Sequence, residues 1–216
     1  MLRSGRMTDS QKQYYETLFP RYAVPVNLEI LNCSDLFGNE NPVIVEIGFG
    51  NGFATAELAA MNPDKNYLGI EVHKPGIGRL VWEIEHRNLK NIRILEQDAA
   101  DAVNRIVDSS LAGFHMFFPD PWPKKRHHKR RLLTRPFTEI LAAKLSPAGY
   151  LYAVTDWTEY AEWILREVSA TAGFENPFSG FAPPQYWRPR TKFEEKALRN
   201  GREIRELWVQ KISKIT

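Results

Sequence analysis

The sequence predicts an α/β fold on a mostly parallel sheet. Two observations carry that prediction. From Pro42 onward, short β-branched runs alternate with segments of helical periodicity, which is the pattern of βαβ units. The 216 residues are also of ordinary composition, 43% hydrophobic and 25% charged, and a chain of that size can bury a sizeable core without staples.

The elements follow in order. Residues 1–41 are polar, with a helix-like stretch over 10–18. Residues 43–47 (VIVEI) are apolar, β-branched and closed by glycine, and read as a buried strand. Residues 55–61 read as helix, and 67–71 (YLGIE) as the second strand. Residues 76–89 carry Ile77, Leu80, Val81 and Ile84 at helical spacing. A third strand over 92–95 leads to a helix over 99–107. Residues 113–118 (GFHMFF) form a fourth strand, broken by Pro119. A helix over 137–145 precedes a fifth strand over 149–154. Residues 160–172 place Tyr160, Ala161, Ile164, Leu165 and Val168 on one helical face, and 206–212 read as a last strand.

Charge is unevenly spread. The formal net charge is only +3, yet residues 124–135 hold seven Lys/Arg and no acid, and residues 186–205 hold seven Lys/Arg against three Glu. The rest of the chain is therefore acidic, which excludes a uniformly basic tail protein and a disordered polyelectrolyte. Cys33 is the only cysteine, so no internal disulfide and no Cys-based zinc cluster is expected, and no metal site. No apolar run approaches the roughly 20 residues that span a bilayer, and the N-terminus lacks the apolar core of a secretory signal. A cytoplasmic protein is expected, in one domain, with 1–41 as arm and lead-in and 42–216 as core.

In parallel sheets ligands bind beyond the carboxyl ends of the strands. The first strand runs into Glu46-Ile47-Gly48-Phe49-Gly50-Asn51-Gly52. Phe53 stands where a dinucleotide loop would have its last glycine, and Glu46 is a poor neighbour for phosphates but a good one for a cation. A sulfonium cofactor with an amino-acid tail, S-adenosylmethionine, suits this loop better than NAD. Glu71 ends the second strand, 25 residues on, where an acid can accept from ribose hydroxyls. Asp98 after the third strand can meet an adenine amine or cap the next helix. Three such acids in order, after a glycine loop, point to an adenosyl-type site.

The fourth strand enters Phe118-Pro119-Asp120-Pro121-Trp122-Pro123-Lys124. Its three prolines make a rigid loop, suited to holding two reactants in line. Asp120 is its only ionisable group before Lys124, and Trp122 offers a face for stacking a base. The basic run behind it suits phosphate contacts with little sequence information. Asp156 reads as a helix cap or a substrate ligand, with the cap favoured. Thr191, Lys192 and Glu194, near Trp187, form a weaker candidate for binding a base edge and its phosphates.

Together these residues resemble the bacterial tRNA (guanine-N7-)-methyltransferase family. The resemblance rests on 46–52, on Gly69-Ile70-Glu71-Val72-His73, Asp98-Ala99, the proline-rich 117–124, the basic run through Arg131, Thr155-Asp156-Trp157 and Thr191-Lys192-Phe193-Glu194. Gly5-Arg6-Met7-Thr8 and Gln11 resemble the family's N-terminal arm, preceded here by only Leu2-Arg3-Ser4 after the first Met. Asn51 departs from the pattern, where a hydrophobic residue such as Met is expected. The resemblance implies a Rossmann-like class I methyltransferase with a seven-stranded sheet, acting on a guanine in the tRNA variable loop. It implies that Glu46, Gly48, Gly50, Gly52, Glu71, Asp98, Ala99 and Asp120 hold S-adenosyl-L-methionine, with Asp120 also catalytic. Lys124, Asp156, Thr191, Lys192, Phe193 and Glu194 would contact the substrate. Arg126, His127, His128, Lys129, Arg130 and Arg131 would contact the RNA. A monomer or homodimer with no obligatory protein subunit is expected. Two alternatives remain: an exocyclic-amine RNA methyltransferase, whose loop has its proline and aromatic residues in another order, and a non-catalytic RNA-binding protein of the same fold.

Overall fold

The computed structural model describes residues 7–25 and 27–212; the arm residues Leu2 to Arg6 lie outside them. The seven strands make a mixed, mostly parallel sheet flanked by helices, as the resemblance implies. The chain divides into two compact units, Met1–Val107 and Asp108–Thr216.

In the first unit, α1 (Asp9–Thr17) and α2 (Cys33–Phe37) precede β1 (Val43–Ile47), α3 (Phe53–Met61), β2 (Asn66–Ile70), α4 (Lys74–Arg87), β3 (Ile92–Leu95) and α5 (Ala99–Asn104). The strands lie parallel in the order β3-β2-β1. Every residue of β1 and β2 is buried, which is why both are mostly apolar and do not alternate; the polar exceptions are Glu46 and Asn66. β2 ends at Ile70, so Glu71 stands just beyond the strand end. α5 is shorter than the periodicity predicts, because Ile106 leaves the helix to bridge Leu31. α2, five residues long, escaped the sequence reading because it is too short for periodicity to show.

α1 starts with a capping box: Gln11 N–H donates to the Thr8 hydroxyl at 3.2 Å, and Thr8 N–H to the Gln11 side chain at 2.9 Å. It buries no residue of its own. It docks where α4 has a glycine: a Cβ on Gly78 would lie 2.3 Å from the Gln11 carbonyl oxygen. The Tyr15 hydroxyl then donates to Glu96 at 2.6 Å, tying α1 to the end of β3.

In the second unit, β4 (Leu111–Phe117), α6 (Arg135–Lys144), β5 (Leu145–Thr155), α7 (Thr158–Ser169), β6 (Phe174–Glu175), α8 (Lys192–Arg199) and β7 (Arg205–Lys211) follow in turn. The strand order is β4-β5-β7-β6, with β4 and β5 parallel and β7 antiparallel to both neighbours. β5 begins four residues earlier than predicted: Leu145 pairs with Leu111 before a register shift that the left-handed Ala148 (φ 63°) accompanies. The two-residue β6 was not expected from the sequence, and α8 was read there only as a residue cluster.

Gly78→Val is expected to push α1 off α4. Its cost should be about 1–3 kcal/mol by overpacking, measurable as a lower urea midpoint with an unchanged slope and as new proteolytic cleavage near α1.

Candidate functional site

The first unit builds a glycine loop. Gly48 and Gly50 are left-handed (φ 71° and 58°), a conformation that disfavours residues with a Cβ. A Cβ on either would meet nothing within 4 Å, so both face open space where a ligand can approach the backbone. Behind the loop, the start of α4 comes so close that a Cβ on Gly76 would sit 1.9 Å from the Gly50 carbonyl oxygen. Asn51 accepts from Phe53 N–H at 3.1 Å, satisfying a free donor at the start of α3.

Glu71 is the latch of this loop. One carboxylate oxygen accepts from Gly50 N–H at 2.9 Å, the other from Val72 and His73 N–H at 2.8 and 3.0 Å. Beneath it, Glu46 is 2% exposed and accepts only the Thr55 hydroxyl, at 2.7 Å. Burial pushes its carboxyl up to about 7; Thr55 opposes the rise and the charge of Glu71 adds to it. It has no cationic partner among the described residues. Asp98 caps α5, accepting from Ala100 N–H at 2.9 Å. Ala99 is the first residue of that helix. An open glycine cradle, a latched acid and an unpaired buried carboxyl are a donor set that fits a cationic nucleoside.

The second unit builds the proline loop. Phe118 N–H donates to the Val154 carbonyl at 2.7 Å. Phe118 and Trp122 are both left-handed (φ 54° and 45°), a strained state for residues with a Cβ. Between them Asp120 is exposed, and it makes no hydrogen bond or ion pair among the described residues. One face of Trp122 is covered: the Arg130 guanidinium lies over the ring at 4.9 Å, and His127 meets its edge at 5.9 Å.

The basic run winds into a 3-10 turn over Lys125–Arg130. Lys124, Lys125, Arg126, Lys129 and Arg130 are exposed, whereas His127 and His128 are half-buried, His128 packing edge-on against Trp163 at 5.8 Å. Arg131 corrects the expectation of an RNA contact. Its side chain is fully buried, pairs bidentately with Glu159, donates to the Pro121 carbonyl at 3.0 Å and lies over the rings of Tyr160 and Trp163, each at 4.9 Å. The Arg131 hydrogen bonds hold the Glu159 carboxyl below its ordinary range.

Three further expectations are revised. Asp156 does not cap α7; Trp157 is the cap residue, its N–H donating to the Thr155 hydroxyl, and Asp156 pairs with Arg202 at 2.7 Å. Thr191 is a helix cap, accepting from Glu194 N–H at 3.2 Å. Glu194 is buried, and both its oxygens are taken by Arg188 at 2.6 and 3.1 Å, so it does not face a base. Arg188 also reaches Glu206 at 3.1 Å and the Tyr152 hydroxyl at 3.0 Å. Arg188 is thus internally paired, because a buried guanidinium needs a counterion, whereas Arg190, Lys192, Lys196 and Arg199 are exposed. Lys192 is exposed, and Phe193, 64% exposed, stacks beside Phe118 at 6.3 Å. Sequence reasoning missed Glu159 and the roles of Arg188 and Glu206; no local spacing marks partners this far apart in the chain.

A family model described as "Putative methyltransferase" matches residues 40–207. A tRNA (guanine-N(7)-)-methyltransferase of Nitrosospira multiformis is 43% identical, covering 94% of this chain and 90% of its own. Those of Chromobacterium violaceum and Treponema pallidum are each 45% identical, over 94% and 95% of this chain. The chain belongs to the tRNA (guanine-N(7)-)-methyltransferase family. Among solved structures, the 16S rRNA methyltransferase KamB matches with a TM-score of 0.57 at 13% identity, over 98% of this chain and 97% of its own. An O-methyltransferase of Thermotoga maritima matches at 0.54 and 12%, over 99% and 70%. Both support the fold alone. No helix among the described residues is long and apolar enough to cross a membrane.

Glu46 sets a pH dependence. Its folded carboxyl keeps a proton up to about 7, while the unfolded one ionises near 4.3. The folded state binds the extra proton between those values, so this contribution to stability is present below the lower value and lost as pH rises through 7. The difference in unfolding free energy between wild type and Glu46→Gln should therefore change with pH across roughly 4.3–7 and level off on either side. A difference that is flat over that interval refutes the shifted carboxyl.

Proposed function

We propose that this protein methylates guanine N7 in the variable loop of tRNA, forming 7-methylguanosine with S-adenosyl-L-methionine as methyl donor. The observation that carries the reading is near-full-length identity of 43–45% to relatives bearing that name. S-adenosyl-L-methionine supplies an electrophilic methyl group on a sulfonium. Glu46, Gly48, Gly50, Gly52, Glu71, Asp98 and Ala99 hold it in this reading, the unpaired Glu46 offering a carboxylate to its positive charge.

Guanine N7 carries a lone pair and no proton, so its attack on a methyl group needs no general base. The product base is cationic. Asp120, exposed and unpaired on a strained loop, orients the guanine and offsets the charge that develops on it, a preorganised electrostatic contribution. Lys124, Asp156, Lys192 and Phe193 remain as base contacts, and Thr191 contributes through the helix it caps. Lys125, Arg126, Lys129 and Arg130 hold the RNA backbone, with His127 beside them. Glu194, Arg131 and the half-buried His128 leave the set of substrate-facing residues. A tRNA substrate also supports a cytoplasmic location for the reaction.

Asp120→Ala is expected to lower methyl transfer to tRNA at least 100-fold, the scale on which removing one transition-state partner acts, with an unchanged melting temperature. The assay is tritiated-methyl transfer to unmodified tRNA followed by nucleoside analysis. Near-normal turnover refutes the role of Asp120, and methyl on an exocyclic amine instead of N7 refutes the reaction. Arg126→Glu with Arg130→Glu should weaken tRNA binding and flatten the slope of log affinity against log salt by roughly 0.7–0.9 for each phosphate no longer neutralised. An unchanged slope removes the basic run from the RNA interface.

A further inference from the structure

Adjacent arginines of the basic run point opposite ways. Arg130 is exposed over the Trp122 ring. Arg131 turns inward, where three groups hold it: the Pro121 carbonyl at 3.0 Å, the paired oxygens of Glu159, and the ring faces of Tyr160 and Trp163 on α7. Of these, the bond to Pro121 acts directly on the proline loop. Pro121 follows Asp120 and precedes the left-handed Trp122. Prolines at 119, 121 and 123 remove backbone donors from the segment, so the loop has few bonds of its own to hold its shape. A strained backbone persists only where its surroundings over-determine it. Among the described residues, the restraints on this one are the Phe118 N–H bond to Val154, the Phe193 ring beside Phe118, Arg130 and His127 against Trp122, and Arg131, which alone bonds a backbone atom between Asp120 and Trp122.

We infer that Arg131 is a positioning residue for the reaction: it braces the Pro121 carbonyl against Glu159 on α7 and thereby fixes where Asp120 presents its carboxylate. The inference rests on Asp120 being the catalytic residue. A planar, always-charged fork suits the task, since it serves a carbonyl with one nitrogen and a carboxylate with the other two. The same packing explains how a cation is tolerated there without reaching RNA.

Two variants separate bracing from packing. Arg131→Met keeps an unbranched side chain between the two rings and removes the bond to Pro121. Glu159→Gln changes a half-exposed partner and leaves Arg131 without its counterion. Each is measured for melting temperature, tRNA affinity, kcat and KM, and hydrogen exchange at the Phe118 amide, which donates to the Val154 carbonyl at the start of the loop. Bracing predicts cooperative melting, exchange at the Phe118 amide at least tenfold faster, kcat at saturating tRNA at least tenfold lower, and tRNA affinity within about twofold of wild type. Unchanged exchange and kcat in the folded variants overturn it. Weakened tRNA binding with normal kcat also overturns it and makes Arg131 an RNA contact. Should Arg131→Met fail to fold, Glu159→Gln decides alone. Asp120→Ala in parallel keeps the two readings apart: if that variant turns over normally, the role of Asp120 falls, whereas faster exchange with normal kcat beside an inactive Asp120→Ala overturns the brace.

Discussion

A charge removed from water is costly unless an opposite charge goes with it, and the placement of this protein's ionised side chains follows from that. Glu83 is buried against Arg79 and Arg87. Arg131 is buried against Glu159, and Arg188 against Glu194 and Glu206. Arg131 fastens the proline loop to α7. Arg188 fastens the stretch leading into α8 to β7 through Glu206 and to β5 through the Tyr152 hydroxyl. These pairs contribute position more than net stability, because desolvation offsets most of their attraction.

Glu46 breaks the pattern, and the exception is informative. It lies near the end of β1 with a hydroxyl for company, and its carboxyl holds a proton to about 7. A buried acid left without a cation in the first unit is suited to a ligand that brings one. Glu71 differs in kind. Its carboxylate accepts from three backbone N–H groups, so it shapes the glycine loop. Two acids one strand apart thus differ: Glu71 shapes the glycine loop, and Glu46 lies buried with no cationic partner among the described residues.

The second unit shows a corresponding division among its basic residues. Those turned inward meet carboxylates; those left outside, from Lys124 to Arg130, have little protein to meet and so remain available to phosphates. Asp120 stands at the edge of that exposed group, between two left-handed residues, and its side chain makes no hydrogen bond or ion pair among the described residues. An exposed carboxylate with no partner is free to engage a substrate base.

Much was legible in the sequence. The parallel strands could be read because burial on both faces favours mostly apolar runs, and the loops because glycine permits a left-handed backbone while proline restricts it: Gly48, Gly50 and the prolines around Asp120 could be assigned without coordinates. Asp98 was left between cap and ligand, and Thr191 appeared as a substrate contact, because a capping side chain and a binding one are the same residue types. Short β6 and α2 have no period to detect. What only the tertiary structure decided was the fate of each charge. Arg130 and Arg131 are neighbours with the same side chain, as Glu194 and Glu195 are, yet in each pair one faces water and the other is buried. Composition and spacing fix how many charges a stretch carries; which of them goes inward depends on a counterion 28 residues away for Arg131 and 18 residues away for Arg188 and Glu206, and only folding brings those partners together.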